Sequence, residues 1–185
     1  MSVKLRFVLV GLLASAPLAC GDEDSTSPAG SGGSGADTST GEPVPFDEAE
    51  VIAHGGTFAT ALVKINAQPF RSDHGLADMV NVYVDAGAEA LYRSLDPEAP
   101  GEVALPEGTL VVKEHLDAEG AYDGYLMMYR GPAGYAPQTG DWFWARVDGE
   151  NNAQQTGASG AVNFCIDCHV RAPSFVFGVA ADNQT

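Results

Sequence analysis

The sequence predicts an α+β fold: a mainly antiparallel β-sheet with a few helices, one of them close to the C-terminus. Segments in which apolar and polar residues alternate, as in half-buried strands, recur from residue 80 to residue 147. The links between them are short and rich in Gly, Pro and Asp, which favours antiparallel neighbours. A segment with helical spacing precedes the strands, and a short helical turn follows them.

The first element of the domain is predicted at residues 46–68, which have moderate helical spacing with a break at Gly55-Gly56. Asp85 is expected to cap a short helix that runs through Leu91 and Tyr92. The four predicted strands cover residues 80–84, 109–114, 125–130 and 142–147. In the last strand the even-numbered residues, Trp142 among them, share one face, and the odd-numbered residues share the other.

The first 45 residues are expected to direct export and then to link the domain to a membrane. Lys4 and Arg6 precede an apolar run, and small residues follow as far as Cys20, which is the layout of a secretory signal peptide. We assign residues 1–19 to this signal and 20–45 to a linker of Gly, Ser, Thr, Asp and Pro that is too polar to fold. Residues 46–185 then form a single domain.

Two cleavage sites compete at the end of the signal. Ala14-Ser15-Ala16 fits the small-x-small site of ordinary signal peptidase, Leu18-Ala19-Cys20 resembles the lipobox of bacterial lipoproteins, and Pro17 complicates both. We favour the lipobox, because Cys20 is the only cysteine outside the C-terminal motif and a lipid there would anchor the chain to a membrane. The expected location is therefore that of an exported lipoprotein, facing the periplasm or the cell surface.

The chain is strongly acidic. It has 25 Asp and Glu residues against 9 Lys and Arg, and two of the basic residues precede Cys20, which leaves 7 basic and 25 acidic residues, a formal charge of −18, on the rest. Such a chain repels nucleic acid and anionic lipid headgroups, so no nucleic-acid partner is expected. We interpret the acidity as a source of solubility rather than as a docking surface.

The chemistry is concentrated in the motif Cys165-Ile166-Asp167-Cys168-His169. Two cysteines three apart, with histidine after the second, form the attachment motif of covalently bound haem. On a helical turn the two thiols lie on one side, where they can add to the two vinyl groups along one edge of a porphyrin. The next imidazole can then bind the iron. The sequence therefore predicts haem c on a C-terminal haem-attachment helix, with His169 as the iron ligand.

Three other interpretations of the motif remain open: a redox-active dithiol, a zinc site and a structural disulfide. A redox-active dithiol would leave His169 without a role. A zinc site needs four ligands, and only three cluster here. A disulfide between these cysteines would be strained and would close almost no loop. The second axial ligand of a haem iron is also open, since an electron carrier would need a Met or His there. The candidates are Met79, Met127, Met128, His54, His74 and His115.

Beyond the motif, the chain resembles the cytochrome P-460 family over about residues 70–178. The likeness rests on three segments in matching order: Leu105-Pro106-Glu107-Gly108-Thr109-Leu110-Val111-Val112-Lys113-Glu114, then Gly140-Asp141-Trp142, then the haem motif followed by Phe175-Val176-Phe177. The resemblance implies a mainly antiparallel fold, often dimeric, with His169 as proximal ligand and an open distal side for small nitrogen species or gases.

Relatives of this type include hydroxylamine-oxidising enzymes, in which a lysine is also bonded to the porphyrin rim, and Lys113 matches that lysine. The other interpretation of Lys113 is a strand-edge lysine paired with Glu114. The enzymes place a distal glutamate after the strand at 125–130, whereas residues 131–140 here contain no acid, and Ser174 stands where an aspartate is usual. Whether the chain is a haem oxidoreductase is therefore open.

Two functions follow for the sequence as a whole. The first is binding or oxidation of a small nitrogen compound, of the hydroxylamine or nitric oxide type, at a five-coordinate haem. The second is electron transfer by a six-coordinate haem. Either would involve a redox partner protein, and Phe164, Phe175 and Phe177 are expected to form apolar walls around the haem or else to be ordinary core residues.

Overall fold

The computed structural model describes residues 46–72 and 75–185. The predicted signal (1–19), Cys20 and the linker (20–45) lie outside the described residues, as does His74. In the part of the chain that is described, no helix has the length and apolar character needed to cross a bilayer.

One antiparallel sheet of seven strands forms the centre of the domain. The strands are β1 (Val63–Lys64), β2 (Phe70–Arg71), β3 (Met79–Val84), β4 (Leu110–Leu116), β5 (Tyr122–Arg130), β6 (Trp142–Val147) and β7 (Ala153–Gly157). Their order is β1-β3-β4-β5-β6-β7, and β2 also pairs with β3. The α+β prediction is confirmed, and β3 to β6 correspond to the four predicted strands. The sequence did not predict β1, β2 and β7.

Four short helices accompany the sheet: α1 (Glu48–Gly55), α2 (Phe58–Ala61), α3 (Glu89–Arg93) and α4 (Asn163–His169). Asp47 caps α1, because its carboxylate accepts hydrogen bonds from Ala49 N and Glu50 N, both at 3.0 Å. The predicted break at Gly55-Gly56 is confirmed.

Two predictions about the helices are wrong. The first helical segment does not extend to residue 68, since the chain becomes extended at Leu62 and enters β1. Asp85 does not cap α3, which begins at Glu89 after Ala88. The Asp85 carboxylate instead accepts a hydrogen bond from Leu110 N, where it fixes the start of β4.

The sheet is covered on both faces. One face, here called the packing face, includes Leu110, Val112 and Phe143 and packs against Phe58 and Leu62 at α2. The other, here called the cavity face, packs against Cys165 of α4, and its buried residues include Val82, Val111, Met128, Trp142 and Trp144. The alternation predicted for residues 142–147 therefore places the tryptophans beneath the C-terminal helix and Phe143 beneath the N-terminal helices.

Candidate functional site

Helix α4 carries the two cysteines and the histidine of the predicted haem motif. Cys165 is 6% exposed and belongs to the core of the cavity face, whereas Cys168 is exposed. Residues three apart on a helix lie on the same side, so both thiols project from one side of α4. Neither cysteine forms a disulfide, which removes the support for that interpretation.

The ring of His169 is held in one orientation. Its Nδ1 lies 2.6 Å from the carbonyl oxygen of Phe175, and because a carbonyl only accepts, Nδ1 carries the ring proton. The lone pair of the neutral ring is then on Nε2, the arrangement that a metal-ligating histidine adopts. Trp144 and Phe177 pack edge-on against the ring, with centroid separations of 4.8 and 5.5 Å.

The carbonyl that accepts from His169 belongs to a residue with unusual backbone geometry. Phe175 has φ of 60°, in the left-handed region that favours glycine. The neighbouring Ser174 carbonyl accepts a hydrogen bond of 3.2 Å from Trp142 Nε1. Gly140 lies so close that a Cβ there would be 2.9 Å from the Phe175 ring. The segment after α4 is thus locked against β6 and the turn before it, which fixes the position of the carbonyl.

Two adjoining cavities meet at α4. The first, here called the cleft, has mostly apolar walls and is bounded by Lys113, Cys165, Cys168 and His169 together. The second, here called the outer cavity, has a volume of about 490 Å³ and shares all of these residues except Cys165. That volume lies within the range of about 300–1,000 Å³ usual for cofactor and ligand sites. The structure therefore brings all four predicted site residues to one place.

Lys113 reaches this place because of its position in β4. It shares the cavity face with Val111 and His115, whereas Glu114 points to the packing face. There the Glu114 carboxylate accepts hydrogen bonds from Asn81 Nδ2 at 2.7 Å and Tyr83 OH at 3.2 Å. The structure thus gives no support to a Lys113–Glu114 pair.

The dithiol and zinc interpretations also find little support. Burial raises the pKa of the Cys165 thiol to about 11, so the reactive thiolate is disfavoured at neutral pH. Among residues 46–72 and 75–185, no three His, Cys, Asp or Glu side chains come together in a way that could hold a metal ion. A haem iron, in contrast, needs only the imidazole and the porphyrin.

The candidate second axial ligands divide between the two faces. Met128 lines the cleft, and His115 is buried at 3% exposure on the cavity face. Met127 also borders the cleft, but its side chain belongs to the core of the packing face, where a Cβ at Gly55 of α1 would lie 2.7 Å from its sulfur. His54 is in the last turn of α1, and Met79 is on β3. Of the candidates that the structure describes, Met128 and His115 lie on the side of α4.

The three phenylalanines expected either to wall the haem or to be core residues lie in different places. Phe164 lines the cleft and Phe177 lines the outer cavity. The ring of Phe175 borders a separate pocket, so this residue contributes its carbonyl rather than a wall. The sequence analysis missed Arg71 and Arg171, which line the outer cavity, since neither belongs to a recognisable motif.

No family model matches the chain, and no curated protein matches it. The resemblance to the cytochrome P-460 family therefore stays a prediction, based on the residues quoted above and on where they lie.

Proposed function

We propose that this chain is an exported c-type haem lipoprotein that binds or oxidises a small nitrogen compound at a five-coordinate iron. Cys165 and Cys168 would hold the haem through two thioethers, and Nε2 of His169 would bind the iron. Lys113 would contact the porphyrin, with a bond to its rim as in the family that the chain resembles.

The observation that carries this proposal is the convergence of Lys113 with the motif. Lys113 is on β4 and the motif is on α4, and three strands separate them in the sequence. They nonetheless bound the same cleft, beside a cavity of about 490 Å³. A motif match that had arisen by chance would have no reason to place this lysine beside these cysteines.

The residues of the site suit a porphyrin. When bound, haem supplies an iron that can hold a small nitrogen compound and exchange electrons with it. Phe175 O orients the His169 ring and increases its basicity through the Nδ1 hydrogen bond. Trp144 and Phe177 pack edge-on against that ring and limit its rotation. Among the described residues that line the two cavities there is no Asp or Glu to accept a proton, which favours binding over oxidation.

The experiment is a visible spectrum of protein matured in a bacterium that attaches c-type haem. We expect covalent haem in a denaturing gel, and a ferrous spectrum that changes when carbon monoxide is added. The variant C165A/C168A should lack covalent haem and serves as the control. Colourless wild-type protein with free thiols would disprove the haem proposal, and a low-spin spectrum that ignores carbon monoxide would disprove the open coordination site.

The second candidate is a membrane-tethered electron-transfer module with a six-coordinate haem, because Met128 lines the same cleft as His169. This alternative predicts a low-spin ferrous spectrum and its conversion to high spin in Met128→Leu. Met127→Leu is a matched control, since the Met127 side chain packs in the core of the packing face, against Gly55. Equal spectra for wild type and Met128→Leu would exclude Met128 as a ligand.

The bond between Lys113 and the porphyrin has its own test. A protease digest should give haem joined to two peptides, one with residues 165–169 and one with Lys113, and a red-shifted Soret band that is lost in Lys113→Ala. Lys64→Ala on β1 is the control, since Lys64 lines neither cavity. Haem found only on the 165–169 peptide would limit Lys113 to a non-covalent contact.

Lipid attachment is tested on the same protein. The mass of the mature chain should correspond to a start at Cys20 with a lipid attached, and Cys20→Ser should release the protein into the soluble fraction. A mature chain that starts at Pro17 would indicate cleavage after Ala16 instead.

A further inference from the structure

The outer cavity has a charge opposite to that of the protein as a whole. The chain carries 25 acidic residues, and only seven basic residues follow Cys20. Three of those seven, Arg71, Lys113 and Arg171, line the outer cavity, and no acidic residue is among the described residues that line it. In a protein of formal charge −16 this local excess of positive charge is suited to an anionic ligand.

The two cavities also differ in polarity: the cleft is more apolar, like the vinyl edge of a haem, and the outer cavity is more polar, like the propionate edge. The cleft contains Cys165 and apolar side chains such as Val111, Met128 and Trp144. Both cavities are lined by Lys113, Cys168 and His169, but only the cleft contains Cys165, and only the outer cavity contains the two arginines. A haem carries its two vinyl groups on one side and its two propionates on the other. If the vinyl side is tied to α4, the propionates point away from the cleft.

We propose that Arg71 and Arg171 bind the two haem propionates, and this inference rests on the proposed function. Arg71 ends β2 at the sheet, whereas Arg171 follows α4 in the turn after the motif. The two guanidinium groups therefore approach the outer cavity from different elements. A guanidinium matches a carboxylate in two parallel hydrogen bonds, a geometry that lysine cannot provide.

Both arginines are exposed at the edge of the cavity, where propionates can remain in contact with water. An exposed pair avoids the desolvation cost that buried ion pairs carry. The positive charges would also favour the reduced iron, which carries one positive charge less than the oxidised iron. Removing either arginine should therefore lower the reduction potential of the haem.

The test uses the haem-loaded protein and the variants Arg71→Gln and Arg171→Gln. The resonance Raman band of propionate bending reports hydrogen bonding to the propionates, and we expect it to shift downward in each variant, together with a lower reduction potential. Lys64→Gln removes one positive charge outside both cavities and should leave the band in place. In Arg71→Lys and Arg171→Lys the reduction potential should return closer to its wild-type value than the frequency of the Raman band does. Lysine keeps the positive charge but lacks the planar guanidinium that donates two parallel hydrogen bonds.

An unchanged propionate band in both Gln variants would overturn the inference, even if the potential falls, because charge alone moves the potential. The propionate band would also stay unchanged if the arginines bound a free inorganic anion, for example nitrite, instead of the propionates. That outcome would likewise count against the proposal. Haem content, measured for every variant, separates this failure from failure of the proposed function. If wild type contains haem but the propionate band does not shift in the Gln variants, only the arginine assignment is refuted. If wild type contains no haem, the proposed function itself is refuted.

Discussion

The two faces of the sheet are built from the same strands but are filled differently. On the packing face aromatic rings fill the space beneath α1 and α2, with Phe46 against Phe143 and Phe58 against Tyr125, both at 5.6 Å between centroids. On the cavity face α4 leaves the cleft and the outer cavity open. One face is thus a closed core, and the other keeps space for a ligand.

Strand β4 shows how one segment serves both faces. Leu110 and Val112 are fully buried in the packing face, while Val111, Lys113 and His115 point the other way. The sheet therefore separates a closed core from the face that lines the two cavities. If the proposed haem is bound, substitutions on the packing face should change the free energy of unfolding without changing its spectrum, and substitutions on the cavity face should affect the site.

The largest expected effect is on the packing face, in Phe143→Ala. Phe143 is fully buried, and its truncation should lower the free energy of unfolding by about 3–5 kcal/mol through lost burial and a cavity. Urea unfolding measures this loss. The spectrum of the folded variant should equal that of wild type, and a shifted spectrum would show that the two faces are not independent.

On the cavity face His115 should make stability depend on pH. Burial, with help from the nearby charges of Lys113 and Arg146, lowers the pKa of His115 from 6.5 to about 4. The unfolded chain binds this proton below pH 6.5 but the folded protein does so only near pH 4, so stability is complete above 6.5 and falls as the pH drops towards 4. A shift of this size corresponds to about 3 kcal/mol, and screening at the cavity should reduce the loss to about 2 kcal/mol.

The control for this prediction is His115→Gln, which cannot titrate. The difference in unfolding free energy between wild type and variant should shrink between about pH 7 and about pH 4.5. Parallel pH profiles for the two proteins would mean that His115 titrates normally in the folded state.

The sequence was sufficient for the parts of this arrangement that depend on local pattern. Alternation identified β3 to β6, and the odd and even residues of β6 separate onto the two faces as expected. The spacing of Cys165, Cys168 and His169 placed a helical turn at α4. Because these features are set by the periods of strand and helix, no knowledge of distant residues was needed.

Other features depend on contacts between distant segments. The two-residue strands β1 and β2 exist because they pair with β3 and are too short to show an alternation. Strand β7 contains no large apolar residue, so it shows no alternation either. Aspartate is common as a helix N-cap, but the Asp85 carboxylate accepts a hydrogen bond from Leu110 N, which belongs to another part of the chain. Arg71 and Arg171 meet at the outer cavity only after folding.

A smaller effect is expected beside His169, in Gly140→Ala. Gly140 has φ of 63°, and an added Cβ would lie 2.9 Å from the Phe175 ring, so the variant should lose about 1–2 kcal/mol of stability. It should also displace the Phe175 carbonyl and weaken its bond to His169. If His169 binds the iron as proposed, resonance Raman of the ferrous protein should show a lower iron–histidine stretching frequency.

Gly134→Ala is the matched control for that change. Gly134 lies in the same loop with φ of 89°, but a Cβ there would have no neighbour within 4 Å. Both variants suffer the backbone penalty, and only Gly140→Ala should alter the iron–histidine stretch. The same frequency in both variants would show that the position of the Phe175 carbonyl does not depend on the packing of the Phe175 ring against Gly140.

The smallest expected effect returns to the packing face, at the start of α1. Asp47→Ala removes the acceptor for Ala49 N and Glu50 N and should lower the free energy of unfolding by about 1 kcal/mol. Asp47→Asn keeps an acceptor and should retain most of the stability. Because α1 packs on the face away from the cavities, the iron–histidine stretch should stay at its wild-type frequency in both variants. A change in that frequency with so small a loss of stability would show that the sheet transmits strain between its faces rather than separating them.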